Sequence, residues 1–284
     1  MKVTGKSKVL GVIGDPISHS FSPELHNFIS EYLNNDYIYS AYHVLPENLG
    51  KAIDGMRAMN IRGINVTSPH KIEVVKFLDK ISEDARLLGS VNTVVNNNGI
   101  LSGYNTDGDG FYMSLEYDGI SVKDKDVLIL GCGGVVKPII LRLIKEAPRS
   151  ITLVNRTQEK ADRLADEISK AMGFLIKTTV LDKAYDIIIN TTTAGMEHQL
   201  DILPWDSIEQ LNGIEIINEN SSAVDLIYNP ACTKFMRYAI DKGAKAINGL
   251  NMLICQGIIA YELFTETKLP DEMLDMVRKE VFNL

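Results

Sequence analysis

Val127-Leu128-Ile129-Leu130-Gly131-Cys132-Gly133-Gly134 decides the fold: four apolar residues in a row run into a cluster of glycines, and a helical stretch follows. An unbroken apolar run of this length, ended by a turn, reads as a buried strand. At such a strand–helix corner, backbone N–H groups at the helix N-terminus can approach the pyrophosphate of a dinucleotide. The spacing is GxGG rather than GxGxxG, with Val136 where a third glycine or alanine would stand, so a purely structural corner reads the same way. Lys137 falls in the first helical turn, where the dipole disfavours a cation by roughly 0.3–1 kcal/mol unless an anion is present. Pro138 is tolerated because it lies in the first turns.

Downstream, strands are expected at 127–130, 151–154, 175–180, 186–190 and 223–227, alternating with helical segments. This is the rhythm of a Rossmann-like nucleotide-binding domain. The second strand runs into Asn155-Arg156-Thr157. An NAD-preferring site usually places an acid at this point for the ribose 2′-hydroxyl, and none is there. Asn155, Arg156, Thr157 and Lys160 instead make a donor-rich, doubly cationic corner suited to a 2′-phosphate. Solvated surface charges are the alternative; the missing acid, the added cations and the glycine turn agree against it.

Upstream, the first third also alternates strands (9–14, 37–44, 63–67) with helices (23–33, 47–59), as in a mostly parallel sheet. Ser22-Pro23 offers an N-cap followed by proline at the first helical position. Strands at 91–95 and 100–104 flank Asn98-Gly99, a dipeptide that favours a tight hairpin. After Asn248-Gly249 two helices are expected, at 252–264 and 270–281. The fold class is therefore α/β: an N-terminal α/β substrate domain and a Rossmann-like dinucleotide-binding domain.

Composition bounds the function. The chain has 284 residues, 45% hydrophobic and 23% charged, which suits two globular domains. The apolar run Val9–Ile13 is too short for a signal peptide or a membrane span. Cys132, Cys232 and Cys255 are widely spaced without CxxC, pointing to reduced thiols and a cytoplasmic setting. The five histidines form no HExxH-like pair, so no metal site is expected. A net charge of −8 opposes nucleic-acid binding and requires any anionic ligand to be held by local donors.

Four polar patches lie at expected strand ends or helix starts: Pro16-Ile17-Ser18-His19-Ser20-Phe21-Ser22-Pro23, Asn65-Val66-Thr67-Ser68-Pro69-His70-Lys71, Ser90-Val91-Asn92-Thr93 and Asn105-Thr106-Asp107-Gly108. Ligands of open α/β sheets bind beyond the carboxyl ends of the strands, so the patches can converge on one polyhydroxylated ligand. Helix capping by Ser22, Ser68 or Asp107 is the alternative for each. With Ser68 as N-cap and Pro69 as first helical residue, Lys71 falls in a first turn whose dipole opposes its charge. That predicts a lowered pKa, as an acid/base lysine requires. Asp107 is its natural partner if the two meet.

Taken in order, the patches resemble the shikimate dehydrogenase family, whose pattern runs close to G-x-P-I-x-H-S-x-S-P, N-V-T-x-P-x-K, G-A-V-N-T and N-T-D-G. The resemblance continues through the turn at Gly131, Asn155-Arg156-Thr157, Asn190-Thr191-Thr192-Thr193-Ala194-Gly195-Met196, Asp225-Leu226-Ile227-Tyr228-Asn229-Pro230 and Gly249-Leu250-Asn251-Met252-Leu253 to Gln256-Gly257. It implies reversible NADPH-dependent reduction of 3-dehydroshikimate to shikimate, within aromatic amino acid (chorismate) biosynthesis, in a cleft between the domains. The implied catalytic residues are Lys71 and Asp107. Ser20, Ser22 and Tyr228 would hold the substrate carboxylate, and Asn65, Thr67, Asn92, Asp107 and Gln256 the ring hydroxyls. Gly131, Gly133, Gly134, Lys137, Asn155, Arg156, Thr157 and Lys160 would bind NADP, with Met196, Gly249 and Met252 around the nicotinamide.

The resemblance also implies a discontinuous substrate domain, 1–108 with 249–284, around a cofactor domain at 109–248. The expected partner is the small-molecule substrate, with neither nucleic acid nor membrane, and a homodimer is left open. Rival readings are a quinate/shikimate dehydrogenase using NAD or both cofactors, a folate-linked dehydrogenase, and a non-catalytic metabolite sensor. Departures from the pattern are Ser90 for alanine, Val135 and Val136 for small residues, and Ala194 in a loop that often carries proline. The two valines would hold the helix back from the pyrophosphate.

Overall fold

The computed structural model describes residues 3–284. The chain forms two compact units, one running to Gly110 and completed by Ile254–Leu284, the other Phe111–Leu253.

In the first unit the chain runs β1 (Lys8–Gly14), α1 (Ser22–Tyr32), β2 (Tyr37–His43), α2 (Leu49–Ala58), β3 (Gly63–Val66), β4 (Lys80–Ile81), α3 (Glu83–Leu88), β5 (Thr93–Asn97), β6 (Ile100–Tyr104) and the start of α4 (Asp107–Tyr117). Its sheet has the order β2-β1-β3-β5-β6-β4 and is mixed. β1 pairs in parallel with β2 and β3, and β4 with β6, while β5 is antiparallel to both β3 and β6. The parallel pair β1–β2 is joined through α1, and β3 returns through α2 to the other side of β1; the antiparallel pair β5–β6 comes from the hairpin at Asn98 (φ 53°) and Gly99 (φ 88°), both in the left-handed region that such a turn demands. Leu49, Ile53 and Met56 of α2 recur at helical spacing and bury against Ile13, Ile64, Val66 and Val94 of the sheet.

Two expected helix starts differ. Phe21, not Ser22, is the N-cap residue of α1, and Ser22 is its first helical residue. No α-helix begins at Ser68: residues 68–72 form turns leading into a 3₁₀ helix, Glu73–Phe77. The reason lies in the backbone partners, because the carbonyl of Lys71 accepts the Val91 N–H (2.8 Å) at the entry to β5 instead of a helical N–H. The dipole argument for Lys71 therefore loses its basis.

The second unit contains β7 (Asp126–Leu130), α5 (Val136–Ile144), β8 (Ser150–Val154), α6 (Gln158–Met172), β9 (Ile176–Lys177), β10 (Ile187–Asn190), β11 (Ser222–Asp225), α7 (Lys234–Asp241) and β12 (Lys245–Ile247). Its sheet, β12-β11-β10-β7-β8-β9, is parallel throughout. This is the doubly wound order, with its switch point between β7 and β10. β7 and β8 are buried along their whole length, as strands covered on both faces must be. The strand expected at 175–180 is reduced to the two residues of β9. α8 (Leu250–Thr265) and α9 (Met273–Phe282) end the chain. Among the described residues no helix is long and apolar enough to cross a membrane.

Candidate active site

In the first unit β1, β3 and β6 end at one edge of the sheet, and β5, being antiparallel, begins there. The loops after β1, β3 and β6 and the residue before β5 therefore meet, which brings the four polar patches to one edge. Lys71 Nζ donates to Asp107 Oδ2 at 2.7 Å, and Asn92 Nδ2 donates to Asp107 Oδ1 at 2.8 Å. Asp107 is buried and Lys71 partly so. The backbone N–H of Asp107 is capped by Asn105 Oδ1 (3.1 Å), so the Asp107 carboxylate is used for the lysine and the amide, not for capping.

Buried anchors fix the lysine turn. His70 Nε2 donates to the Val44 carbonyl (2.7 Å), and Lys71 is tied to Val91 as described. Ser90, where the family favours alanine, accepts a hydrogen bond from Asn105 (3.1 Å), adding a tether to the residue that caps Asp107.

Gly110 carries the next contact. A Cβ there would lie 2.6 Å from the backbone nitrogen of Gln256, so only glycine lets α8 approach this closely. Thr106 Oγ1 donates to the Gln256 carbonyl (3.1 Å), which ties Gln256 to the residue before Asp107. Ser20 Oγ accepts the Ser22 N–H (3.3 Å), which leaves the Ser20 hydroxyl proton for a ligand. Asn65 is nearly saturated: Oδ1 accepts from Tyr39 Oη (2.8 Å), and Nδ2 donates to the Asn92 carbonyl (3.2 Å) and Thr93 Oγ1 (3.1 Å). One lone pair at most remains for a ligand.

In the second unit a cavity of about 410 Å³ opens where β7, β8 and β10 end, lined by Gly131, Cys132, Gly133, Asn155, Arg156, Thr157, Lys160 and Thr191–Ala194. Its position is the switch point of the sheet. Gly131 has φ +107°, and a Cβ on it would lie 2.6 Å from Thr191 Oγ1, so the turn admits no side chain. Arg156 and Lys160 are exposed and have no carboxylate partner among the described residues. Burial pushes the Cys132 thiol up to about 11, against the opposing pull of Lys160, so it stays protonated and unreactive as a thiolate at neutral pH.

Lys137 is turned elsewhere, onto Glu167 Oε1 at 2.7 Å, and does not line this cavity. Val136 is fully buried, while Val135 is the N-cap residue of α5. Beyond β11, burial raises the Asp225 carboxyl to about 6 despite bonds from Thr233 Oγ1 (2.5 Å), the Ile227 N–H (3.0 Å) and Asn190 (3.0 Å). These bonds pin the loop that carries Tyr228. Gly249 N–H donates to the Ile227 carbonyl (3.2 Å); Met252 is partly buried and Met196 exposed.

Comparison with known proteins matches two separate segments of the chain. Residues 12–94 match the model of the shikimate dehydrogenase substrate binding domain, and residues 115–219 that of shikimate/quinate 5-dehydrogenase. A shikimate dehydrogenase (NADP(+)) of Methanocaldococcus jannaschii is 44% identical, over 93% of this chain and 93% of its own. The chain belongs to the shikimate dehydrogenase family. A second shikimate dehydrogenase (NADP(+)), from Alkaliphilus oremlandii, is 41% identical over 99% of this chain and 98% of its own. A crystal structure of a shikimate dehydrogenase in complex with NADP⁺ superposes with a TM-score of 0.87 at 41% identity, covering 97% of this chain and 96% of the other.

Against the shikimate dehydrogenase pattern, Lys71, Asp107, Asn92, Asn65 and Gln256 belong to one hydrogen-bonded cluster of the first unit. Gly131, Gly133, Asn155, Arg156, Thr157 and Lys160 line one cavity of the second. Reading the sequence missed Tyr39, Thr93 and Thr106 as members of the cluster and Cys132 and the three threonines after Asn190 as cavity walls. Thr106 and the threonines stand inside quoted motifs and could have been found there. Tyr39 has only its place in a β-rich segment.

Proposed function

We propose that the chain is an NADP-dependent shikimate dehydrogenase, reducing 3-dehydroshikimate to shikimate reversibly. The observation that carries this reading is the 2.7 Å Lys71–Asp107 pair, set among neutral amide and hydroxyl donors suited to a polyhydroxylated ring. The names of its full-length relatives support the same reaction.

The residues of the second unit fit NADP. Gly133 and Gly134 leave backbone open where a Cβ would meet nothing nearer than 3.8 Å, and the acid-free pair Arg156 and Lys160 suits a 2′-phosphate. Asn155 and Thr157 add neutral donors, and Met196, Gly249 and Met252 are assigned to the nicotinamide. When bound, NADPH supplies the hydride. Ser20, Ser22 and Tyr228 take the substrate carboxylate with neutral donors; burial raises the Tyr228 hydroxyl above its ordinary value, so it stays protonated. Thr67, Asn65, Asn92 and Gln256 orient the ring. The Lys71 ammonium gives its proton to the oxygen formed at the ketone carbon and takes it back in the reverse direction. Asp107 holds that ammonium and accepts from a ring hydroxyl.

The cations at 156 and 160 favour this reading over an NAD-dependent quinate dehydrogenase, and the intact Lys71–Asp107 pair favours it over a non-catalytic sensor. Three free cysteines accord with the cytoplasm as its compartment. The test follows NADPH absorbance with purified protein and 3-dehydroshikimate, then the oxidation of shikimate and quinate with NADP⁺ and NAD⁺. Shikimate turnover with NADP⁺ preferred over NAD⁺ by about tenfold or more is expected, the worth of one charge-assisted bond. No turnover of 3-dehydroshikimate refutes the proposal.

A further inference from the structure

Tyr39 lies on β2, outside every motif the reaction requires, yet it is held more firmly than packing needs. Asn27 grips its backbone twice: Nδ2 donates to the Tyr39 carbonyl (2.9 Å), and Oδ1 accepts the Tyr39 N–H (2.8 Å). His26, the neighbour of Asn27 on α1, stacks flat on the tyrosine ring, with centroids 4.2 Å apart and planes 2° from parallel. Burial lowers His26 to about 3, so the ring against Tyr39 is uncharged at neutral pH.

What this clamp delivers is a single buried hydroxyl. Burial raises Tyr39 well above 10, so it keeps its proton, which goes to Asn65 Oδ1 at 2.8 Å. From there each group donates to the next. Asn65 Nδ2 donates to Thr93 Oγ1 (3.1 Å), Thr93 Oγ1 to Asn92 Oδ1 (2.9 Å), and Asn92 Nδ2 to Asp107 Oδ1 (2.8 Å). The run ends on the carboxylate that holds Lys71. Hydrogen bonds aligned in one direction strengthen one another, most of all between neighbours, so losing the Tyr39 hydroxyl acts first on Asn65.

We infer that Tyr39 is a positioning residue for the substrate, whose hydroxyl fixes the amide assigned to the ring hydroxyls, Asn65. The inference rests on the proposed shikimate dehydrogenase activity. Because Tyr39 touches neither the hydride path nor the proton donor directly, its effect belongs to substrate affinity.

The test is Tyr39→Phe, which removes one oxygen and keeps the stacked ring. KM for shikimate is expected to rise about tenfold, the usual worth of a buried hydrogen bond whose partner is left unpaired. The expected kcat stays within about threefold and KM for NADP⁺ is unchanged, a split that a loss of folded protein does not produce. In a cycle with Asn65→Ala, the double variant is expected to be no worse than Asn65→Ala by more than about twofold, because the two residues act as one unit. Asn27→Ala, which frees the strand while keeping the hydroxyl, should move KM for shikimate alone. An unchanged KM in Tyr39→Phe, a fall in kcat without a rise in KM, or full additivity in the cycle overturns the inference. A wild-type enzyme that turns over shikimate while these outcomes fail sinks this inference only. A wild-type protein without turnover sinks the functional reading and this inference with it.

Discussion

Lys71 is fixed at both ends, its carbonyl by the Val91 N–H and its ammonium by Asp107 2.7 Å away. Held this way, the ammonium proposed as proton donor needs no reorganisation when the oxygen develops charge. Lys71→Ala should therefore lower kcat by about 10²–10⁴ with KM nearly unchanged, as steady-state kinetics would show. Near-normal turnover would remove Lys71 from the mechanism. Sequence reasoning singled out Lys71 through a helix that does not form; in the structure what distinguishes it is a non-local partner 36 positions away. Asp107 was legible only as a cap or a partner, because a carboxylate at a helix start serves either use until its neighbours are known. Tyr39 was not legible, since a tyrosine in a strand reads as core whether or not its hydroxyl is employed.

Elements carry these residues through close approaches that local pattern does not reveal. At Gly110 two effects compete: alanine gains about 1 kcal/mol of helix propensity over glycine, but its Cβ would lie 2.6 Å from the Gln256 backbone. Overpacking against atoms that cannot rotate away costs about 1–3 kcal/mol, so the clash wins. Gly110→Ala should lower Tm and raise KM for shikimate by moving Gln256; a thermal melt and a KM determination check both, and a raised Tm would show that α8 yields freely. The βα rhythm, the Asn98-Gly99 hairpin and the two last helices were readable because each rests on local periodicity or turn chemistry. The antiparallel entry of β5 beside β3 was not, because strand pairing is set at long range. Nor were β4 and β12, of two and three residues, too short to show alternation.

On the scale of the molecule, the two units should respond to acid in opposite directions. His26, in the first, is lowered from 6.5 to about 3 by burial, so below pH 6.5 the unfolded chain binds a proton that the fold refuses. Its stabilising effect is full above 6.5 and falls as pH drops toward 3. Asp225, in the second, is raised from 3.8 to about 6 chiefly by burial, so its contribution is full below 3.8 and is lost as pH rises through 6. Between pH 7 and pH 5 the first unit should lose about 2 kcal/mol and the second gain about 1 kcal/mol from these groups. Hydrogen exchange, corrected for the intrinsic rate, should show faster opening of β1 and β3 at pH 5 and slower opening of β10 and β11. His26→Phe should abolish the first response, and parallel behaviour of both units would contradict the assignment.

The outer strands have a consequence for the crowded state of the molecule. Among the described residues β4 and β9 are two residues long and β12 three, too short to template another strand, whereas β2 runs for seven. Any strand-by-strand association, ordered or amorphous, has its longest free edge at Tyr37–His43, so the flank that holds Tyr39 is also the surface on which solubility turns.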